Sequence, residues 1–157
     1  MLKLAGAGMV LVAFAVLGYA KSLSLKLRCE SIARVLYSLR IMENEISYGK
    51  ISMDKVMESI KKLGGISAED PSGDSAGEWF LNAVEYEKLE KADMEVLTSF
   101  SKTLGITDTA SQQRNIKNTV KTLELLEIDA KNNYEKYGKM YRNIGFLTGM
   151  LAVILLM

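Results

Sequence analysis

The chain has 157 residues, with 20 Lys plus Arg against 19 Asp plus Glu and no histidine. At roughly 100–200 residues per domain that allows one globular domain and little else, and the near-zero net charge gives no support for a nucleic-acid partner. Without histidine there is no His triad, His metal ligand or His general base, and the single cysteine, Cys29, makes neither an intrachain disulfide nor a Cys-rich zinc site. One proline and 8% aromatics argue against a turn-rich all-β protein and against disorder.

Leu4 to Ala20 carries no charge and lies between Lys3 and Lys21. Its 17 residues would span about 26 Å as a helix, against a hydrocarbon core of about 30 Å. Taken alone, the segment fits a short membrane crossing or a cleaved signal peptide with Gly18-Tyr19-Ala20 at the cleavage site.

Helical periodicity follows. Leu25, Cys29, Ile32, Leu36, Leu39, Met42 and Ile46 recur at spacings of three and four, a full apolar stripe. Tyr48-Gly49-Lys50 is expected to end that helix, with Gly49 as a left-handed cap. Ser52 can cap a second helix carrying Val56, Met57, Ile60 and Leu63, which Gly64-Gly65 stops. Ile66 to Gly77 holds the only proline and acids without bases, and reads as a solvated loop. Trp79, Phe80, Ala83 and Val84 begin a third helix running toward Leu89. Asp93 or a neighbour caps a fourth, with Leu97, Phe100 and Leu104 inward and Gly105 closing it. Asp108 or Thr107 starts the last helix. Its stripe stays in phase from Ile116 through Val120, Leu123, Tyr137 and Tyr141 to Ile144, which predicts one long helix into the terminal segment, with Gly138 a bend point.

The last 14 residues, Ile144 to Met157, are again uncharged and would cover about 21 Å, short of a full crossing. Alone they fit a core helix or a half-inserted anchor. Tyr137, Tyr141 and Arg142 just before them suit a membrane interface, and Gly145 and Gly149 form a small-xxx-small spacing for close helix packing in lipid. An apolar tail tilts the N-terminal segment toward an anchor as well. Lys21, Lys26, Arg28 and Arg34 follow the first segment and Lys131, Lys136, Lys139 and Arg142 precede the second, so the positive-inside rule puts the middle in the cytoplasm. No stretch alternates with period two, and the expected class is all-α: an antiparallel helical bundle over 21–143, flanked by a transmembrane helix at 1–20 and a transmembrane or membrane-inserted helix at 144–157.

Charge is uneven: residues 63–98 hold nine acids against two bases. A solvated face is the plain reading; a docking face for a basic partner is the sharper one. Catalytic motifs are missing. There is no phosphate-binding G-x-x-x-x-G-K-[ST] loop and no E-x-x-H motif. Cys29 lies on the apolar stripe without a base to activate it. Glu43 and Glu45, two apart on a helix, point about 200° away from each other and form no carboxylate pair.

Several blocks carry a resemblance. Met42-Glu43-Asn44-Glu45-Ile46-Ser47-Tyr48-Gly49 closes the first soluble helix. Leu104-Gly105-Ile106-Thr107-Asp108 precedes Ser111-Gln112-Gln113. Gly145-Phe146-Leu147, Gly149, Leu151 and Ile154 to Met157 form the tail. Together these resemble the stage III sporulation protein AB family of endospore-forming bacteria. The likeness runs the length of the chain except Gly64 to Ala92, where no block is recognisable, and Lys50-Ile51-Ser52-Met53 departs from the T-P-L type stretch of the family. The resemblance implies a non-enzymatic membrane component, without cofactor or metal, of the transport apparatus between mother cell and forespore. It implies a soluble bundle similar to the cytoplasmic domains of the type II secretion and type IV pilus platform protein. The implied partners are an ATPase and ring-forming membrane subunits, at the mother-cell membrane around the forespore, with self-association left open. The alternative is a membrane-anchored or secreted helical binding module without a transport role. On the platform reading, Glu43, Glu45, Tyr48, Gly49, Gly105, Asp108, Gln112 and Gln113 are the candidate partner contacts, against the plain reading of capping and turn packing; Gly145 and Gly149 are the candidate membrane-packing residues.

Overall fold

The computed structural model of the chain describes residues 2–48, 53–66 and 75–156. Among them are five helices and no strand: α1 (Leu2–Tyr48), α2 (Met53–Lys62), α3 (Ala76–Glu85), α4 (Lys91–Ser101) and α5 (Thr109–Leu156). The class is all-α. α1 and α5 have 47 and 48 residues, about four times the usual helix length. Neither contains proline, and the Lys and Arg residues that border their apolar runs are good helix formers. The N-terminal apolar segment and the first amphipathic stripe are therefore one helix, and α5 runs through Gly138 without interruption. By length and composition α1 is apolar enough to cross a membrane, the one such helix among the described residues.

The short helices are set by their ends. α2 stops at Gly64, whose φ of +73° favours a residue without a Cβ; the Gly65 N–H donates to the Ile60 carbonyl at 3.1 Å, the six-to-one bond of a Schellman cap. α3 starts one turn earlier than the sequence suggests. Ser75 caps it, accepting from the Glu78 N–H at 3.2 Å, and Gly77, expected in the loop, sits in its first turn against the Ser101 carbonyl. The third helix ends at Glu85, and Leu89 belongs to the segment that connects it to α4. Glu90, rather than Asp93, is the N-cap of α4. Asp93 reaches back from the third helical position to accept from the Glu90 N–H at 2.9 Å, half of a capping box. Asp108 caps α5, accepting from the Ser111 N–H at 3.2 Å. Ile66 is buried rather than solvated. The expected caps Gly49 and Ser52, and residues 67–74 of the loop, lie outside the described residues.

The chain divides into two compact units, Glu30–Ile128 and Met1–Cys29 with Asp129–Met157. In the first, the stripe residues Ile32, Leu36, Leu39 and Met42 of α1 with Val35 beside them, Val56 and Ile60 of α2, Phe80 and Val84 of α3, Leu97 of α4, and Ile116 and Leu123 of α5 are fully buried or nearly so. Phe80 meets Phe100 edge to face, with ring centroids 5.3 Å apart. Two buried serines a heptad apart on α1 receive incoming backbone. Ser31 Oγ accepts from the Lys88 N–H at 3.0 Å, and Ser38 Oγ accepts from the Ile66 N–H at 2.9 Å while donating to the Arg34 carbonyl.

The second unit is an antiparallel pair made by the start of α1 and the end of α5. A Cβ added to Gly145 would lie 2.7 Å from the Phe14 carbonyl oxygen and 2.9 Å from Gly18 Cα. One added to Gly149 would lie 3.3 Å from Leu11 Cα, and Gly138 faces Ser22 Oγ. At Gly145 that approach leaves no room for a side chain, and at Gly149 and Gly138 a Cβ would be tight. The outward surface is apolar: Met9, Val12, Leu17, Leu147, Leu151 and Ile154 are each more than half exposed.

Candidate functional site

The two sequence blocks outside the tail that carry the resemblance meet at one end of the Glu30–Ile128 unit. Gln113, near the start of α5, donates its Nε2 to Ser47 Oγ at 3.2 Å and to the Ile46 carbonyl at 3.5 Å. These are last-turn groups of α1, whose carbonyls have no partner within the helix. A side-chain amide from α5 thus closes the end of α1. Beside it, Gln112 is buried, and its Nε2 has no hydrogen-bond partner in the structure. A buried unpaired amide costs about 1–3 kcal/mol.

Asp108 lies at the start of the same turn. The hydrogen bonds it accepts from the Ser111 side chain and backbone hold its carboxyl below the usual value of 3.8, and it sits where α5 presents its positive end. Gly105 has a φ of +79° and approaches Ala76 Cβ. It does not close α4 directly. α4 ends at Ser101, and the chain winds on through bonds from Thr103 to Phe100 and from Leu104 to Ser101 before Gly105 reverses it.

Glu43 belongs to a cleft of about 390 Å³ lined by Arg40, Glu43, Asn44, Lys117, Val120, Lys121 and Glu124. Arg40 Nη2 bonds Glu124 Oε1 across it at 2.9 Å. Glu45 is half-buried and outside this cleft. Tyr48 closes α1, but its side chain and Gly49 fall outside the described residues. Gly145 and Gly149 are in the other unit, on the α5 face that meets α1. The described candidates thus fall into two groups, polar residues of the bundle and glycines of the helix pair.

Sequence reading missed the tightest polar cluster. Arg34 Nη2 bonds Glu87 Oε2 at 2.6 Å, Arg34 Nε lies within 3.2 Å of both Glu87 oxygens, and the same Nη2 reaches Ser31 Oγ at 3.1 Å. The Glu87 side chain is 4% exposed and that of Arg34 is 39% exposed. The hydrogen bond to Glu87 raises the Arg34 pKa further above its ordinary value. The usable signal was small: Ser31 and Ser38 on the buried side of a stripe mark places where α1 must satisfy something polar. No group of three or more His, Cys, Asp or Glu able to hold a metal ion occurs among the described residues.

Comparison with known proteins gives consistent matches. The sequence profile of the family described as stage III sporulation protein AB matches residues 3–157. Stage III sporulation protein AB of Bacillus subtilis (strain 168) is 34% identical over 171 residues, covering all of both chains. A solved structure of stage III sporulation protein AB is similar with a TM-score of 0.56 and 29% identity, over 69% of this chain and 96% of that one.

Proposed function

This chain belongs to the stage III sporulation protein AB family, and on that premise we propose that it is a non-catalytic platform subunit of the sporulation transport complex between mother cell and forespore. Membership gives it a sporulation role. In this reading the Glu30–Ile128 bundle faces the cytoplasm and docks the complex's ATPase, and ring-forming membrane subunits pack against the apolar pair of helices. The Met1–Cys29 and Asp129–Met157 segments anchor it. Their exposed Met9, Leu17, Leu147 and Ile154 are costly in water and at home in hydrocarbon. α1 spans the bilayer, and the end of α5, short for a crossing alone, inserts by packing Gly145 and Gly149 on α1.

The observation that carries the docking assignment is the bond from Gln113 to the end of α1. It brings Ile46 and Ser47 of the E-x-E-I-x-Y-G block against Gln113 of the L-G-x-x-D-x-x-S-Q-Q block, with exposed or half-exposed polar groups lining a cleft on the same two helices. Glu43, in that cleft, and Glu45, outside it, are the acidic candidates for the contact. Glu43→Lys with Glu45→Lys should weaken ATPase binding in a pull-down by about tenfold or more, the scale of a charge pair turned repulsive, and leave the helical circular dichroism unchanged. Undiminished binding sinks the contact assignment.

A further inference from the structure

Formal charge is segregated between the two units far beyond what the whole-chain balance suggests. Met1–Cys29 with Asp129–Met157 holds eight Lys and Arg against two acids, Asp129 and Glu135; Glu30–Ile128 holds twelve against seventeen. The apolar pair of helices is thus the positive part of the molecule, at +6, and the bundle is at −5, which together give the chain's +1.

Within that pair, Lys3 stands apart at the beginning of the apolar run; Lys21, Lys139 and Arg142 share one level where it ends, and Lys131 lies about 16 Å further along α5. Gly18 meets Tyr141 and Gly145 near the end of the run, and Lys21 and Arg142 are each three residues from those glycines. Lys139 is three residues before Arg142, about 60° round the helix from it. Lys21, Lys131, Lys139 and Arg142 are all exposed, and none makes an ion pair or hydrogen bond with a side chain among the described residues. Of the two acids, Asp129 already accepts from Asn133 Nδ2 at 3.0 Å. The aromatic groups beside the cations are of interfacial type: Lys136 Nζ stands 5.0 Å over the Tyr137 ring, whose neighbour Tyr141 is 6.5 Å away.

We propose that Lys21, Lys139 and Arg142 form a binding surface for anionic phospholipid headgroups, so that the chain selects anionic over zwitterionic lipid. The inference rests on the membrane reading above and adds to it the class of lipid. Hydrophobic anchoring alone needs no surplus of six charges, and unpaired cations on a lipid-facing hairpin are best satisfied by phosphate diesters at the level of the interface. Each such cation contributes roughly fivefold to binding at an anionic surface.

The test uses the full chain, delipidated in detergent and offered equal phosphatidylglycerol and phosphatidylcholine, with retained lipid counted by native mass spectrometry. Phosphatidylglycerol should be retained at least about tenfold over phosphatidylcholine. Lys21→Gln with Lys139→Gln and Arg142→Gln should lose that preference. Arg114→Gln with Lys117→Gln and Lys121→Gln removes the same charge from the other unit and should keep it. Equal retention of the two lipids by the unsubstituted chain, an unchanged preference in the first variant, or an equal loss in the second overturns the proposal. So does displacement of the lipid by millimolar inorganic phosphate, which would indicate a site for free phosphate. Alkaline carbonate extraction separates the two readings. A chain that washes off membranes fails the membrane reading itself, and a chain that stays but shows no lipid preference fails this inference alone.

Discussion

Arg34 and Glu87 join α1 to the turn between α3 and α4, two segments with no covalent reason to meet. The carboxylate is sealed at 4% exposure, but its partner keeps 39% of its side chain in solvent. Removing one member of a sealed pair costs about 3–5 kcal/mol because the other charge is left buried; solvent access at Arg34 lowers this. Arg34→Ala should therefore destabilise the bundle by about 2 kcal/mol, read from urea unfolding by circular dichroism. Glu87→Gln with Arg34→Met should lose less than the single Arg34 change, since no buried charge is stranded. A larger loss in the double variant would contradict this account.

Asp108 makes a different kind of contribution, because its carboxyl is held below its ordinary 3.8 by Ser111. A depressed carboxyl stabilises the folded state above its unfolded pKa, and that contribution fades as pH falls through the lower, folded value. Asp108→Asn keeps a competent cap but removes the titration. The variant should unfold at a lower temperature than the unsubstituted chain at about pH 7 and converge with it as the pH falls through the folded value of Asp108. Parallel curves across that range would rule the assignment out.

At the scale of elements, glycines decide where helices touch. Gly77 admits the Ser101 carbonyl, so α3 and α4 pack at a distance that no side chain allows. Gly77→Ala should cost about 1–3 kcal/mol, the price of overpacking against backbone that cannot yield. Gly145→Val should separate α1 from α5 and lower the thermal midpoint in micelles. Gly8→Ala, with nothing within 4 Å of its added Cβ, should leave that midpoint unchanged or raise it slightly through helix propensity.

The sequence made much of this readable. Apolar residues at spacings of three and four located each helix, and the unbroken phase after Thr109 showed that α5 is one element. What it could not show was anything set by long-range contact. The start of α3 moved back to Ala76 because Gly77 is needed against α4. Glu90 took the cap of α4 because Asp93 is fully buried and turned back on its backbone. The Arg34–Glu87 pair was invisible because charges 53 residues apart leave no periodic trace. Of the candidate site, Gln113 and Asp108 could be singled out as residues but not in their roles, since a cap and a cross-helix amide differ only in what they meet.

For the whole molecule, the distribution of cations carries a prediction about sidedness. Lys3 is the only Lys or Arg before the apolar run of α1, whereas Lys21, Lys26 and Arg28 follow it and Lys131, Lys136, Lys139 and Arg142 precede the tail. Moving Lys or Arg across a bilayer is unfavourable, and segments flanked in this way retain their positive side in the cytoplasm. If that rule sets the orientation, the Glu30–Ile128 bundle faces the compartment in which an ATPase has its nucleotide. A protease-sensitive tag inserted after Gly73 should then be cleaved in inside-out vesicles and protected in right-side-out ones. Adding three Lys residues ahead of Leu4 should weaken that preference, because it evens the balance on which the orientation depends. Cleavage confined to right-side-out vesicles would place the bundle outside, where no cytosolic ATPase could dock, and would leave an externally facing helical binding module as the better account of the same fold.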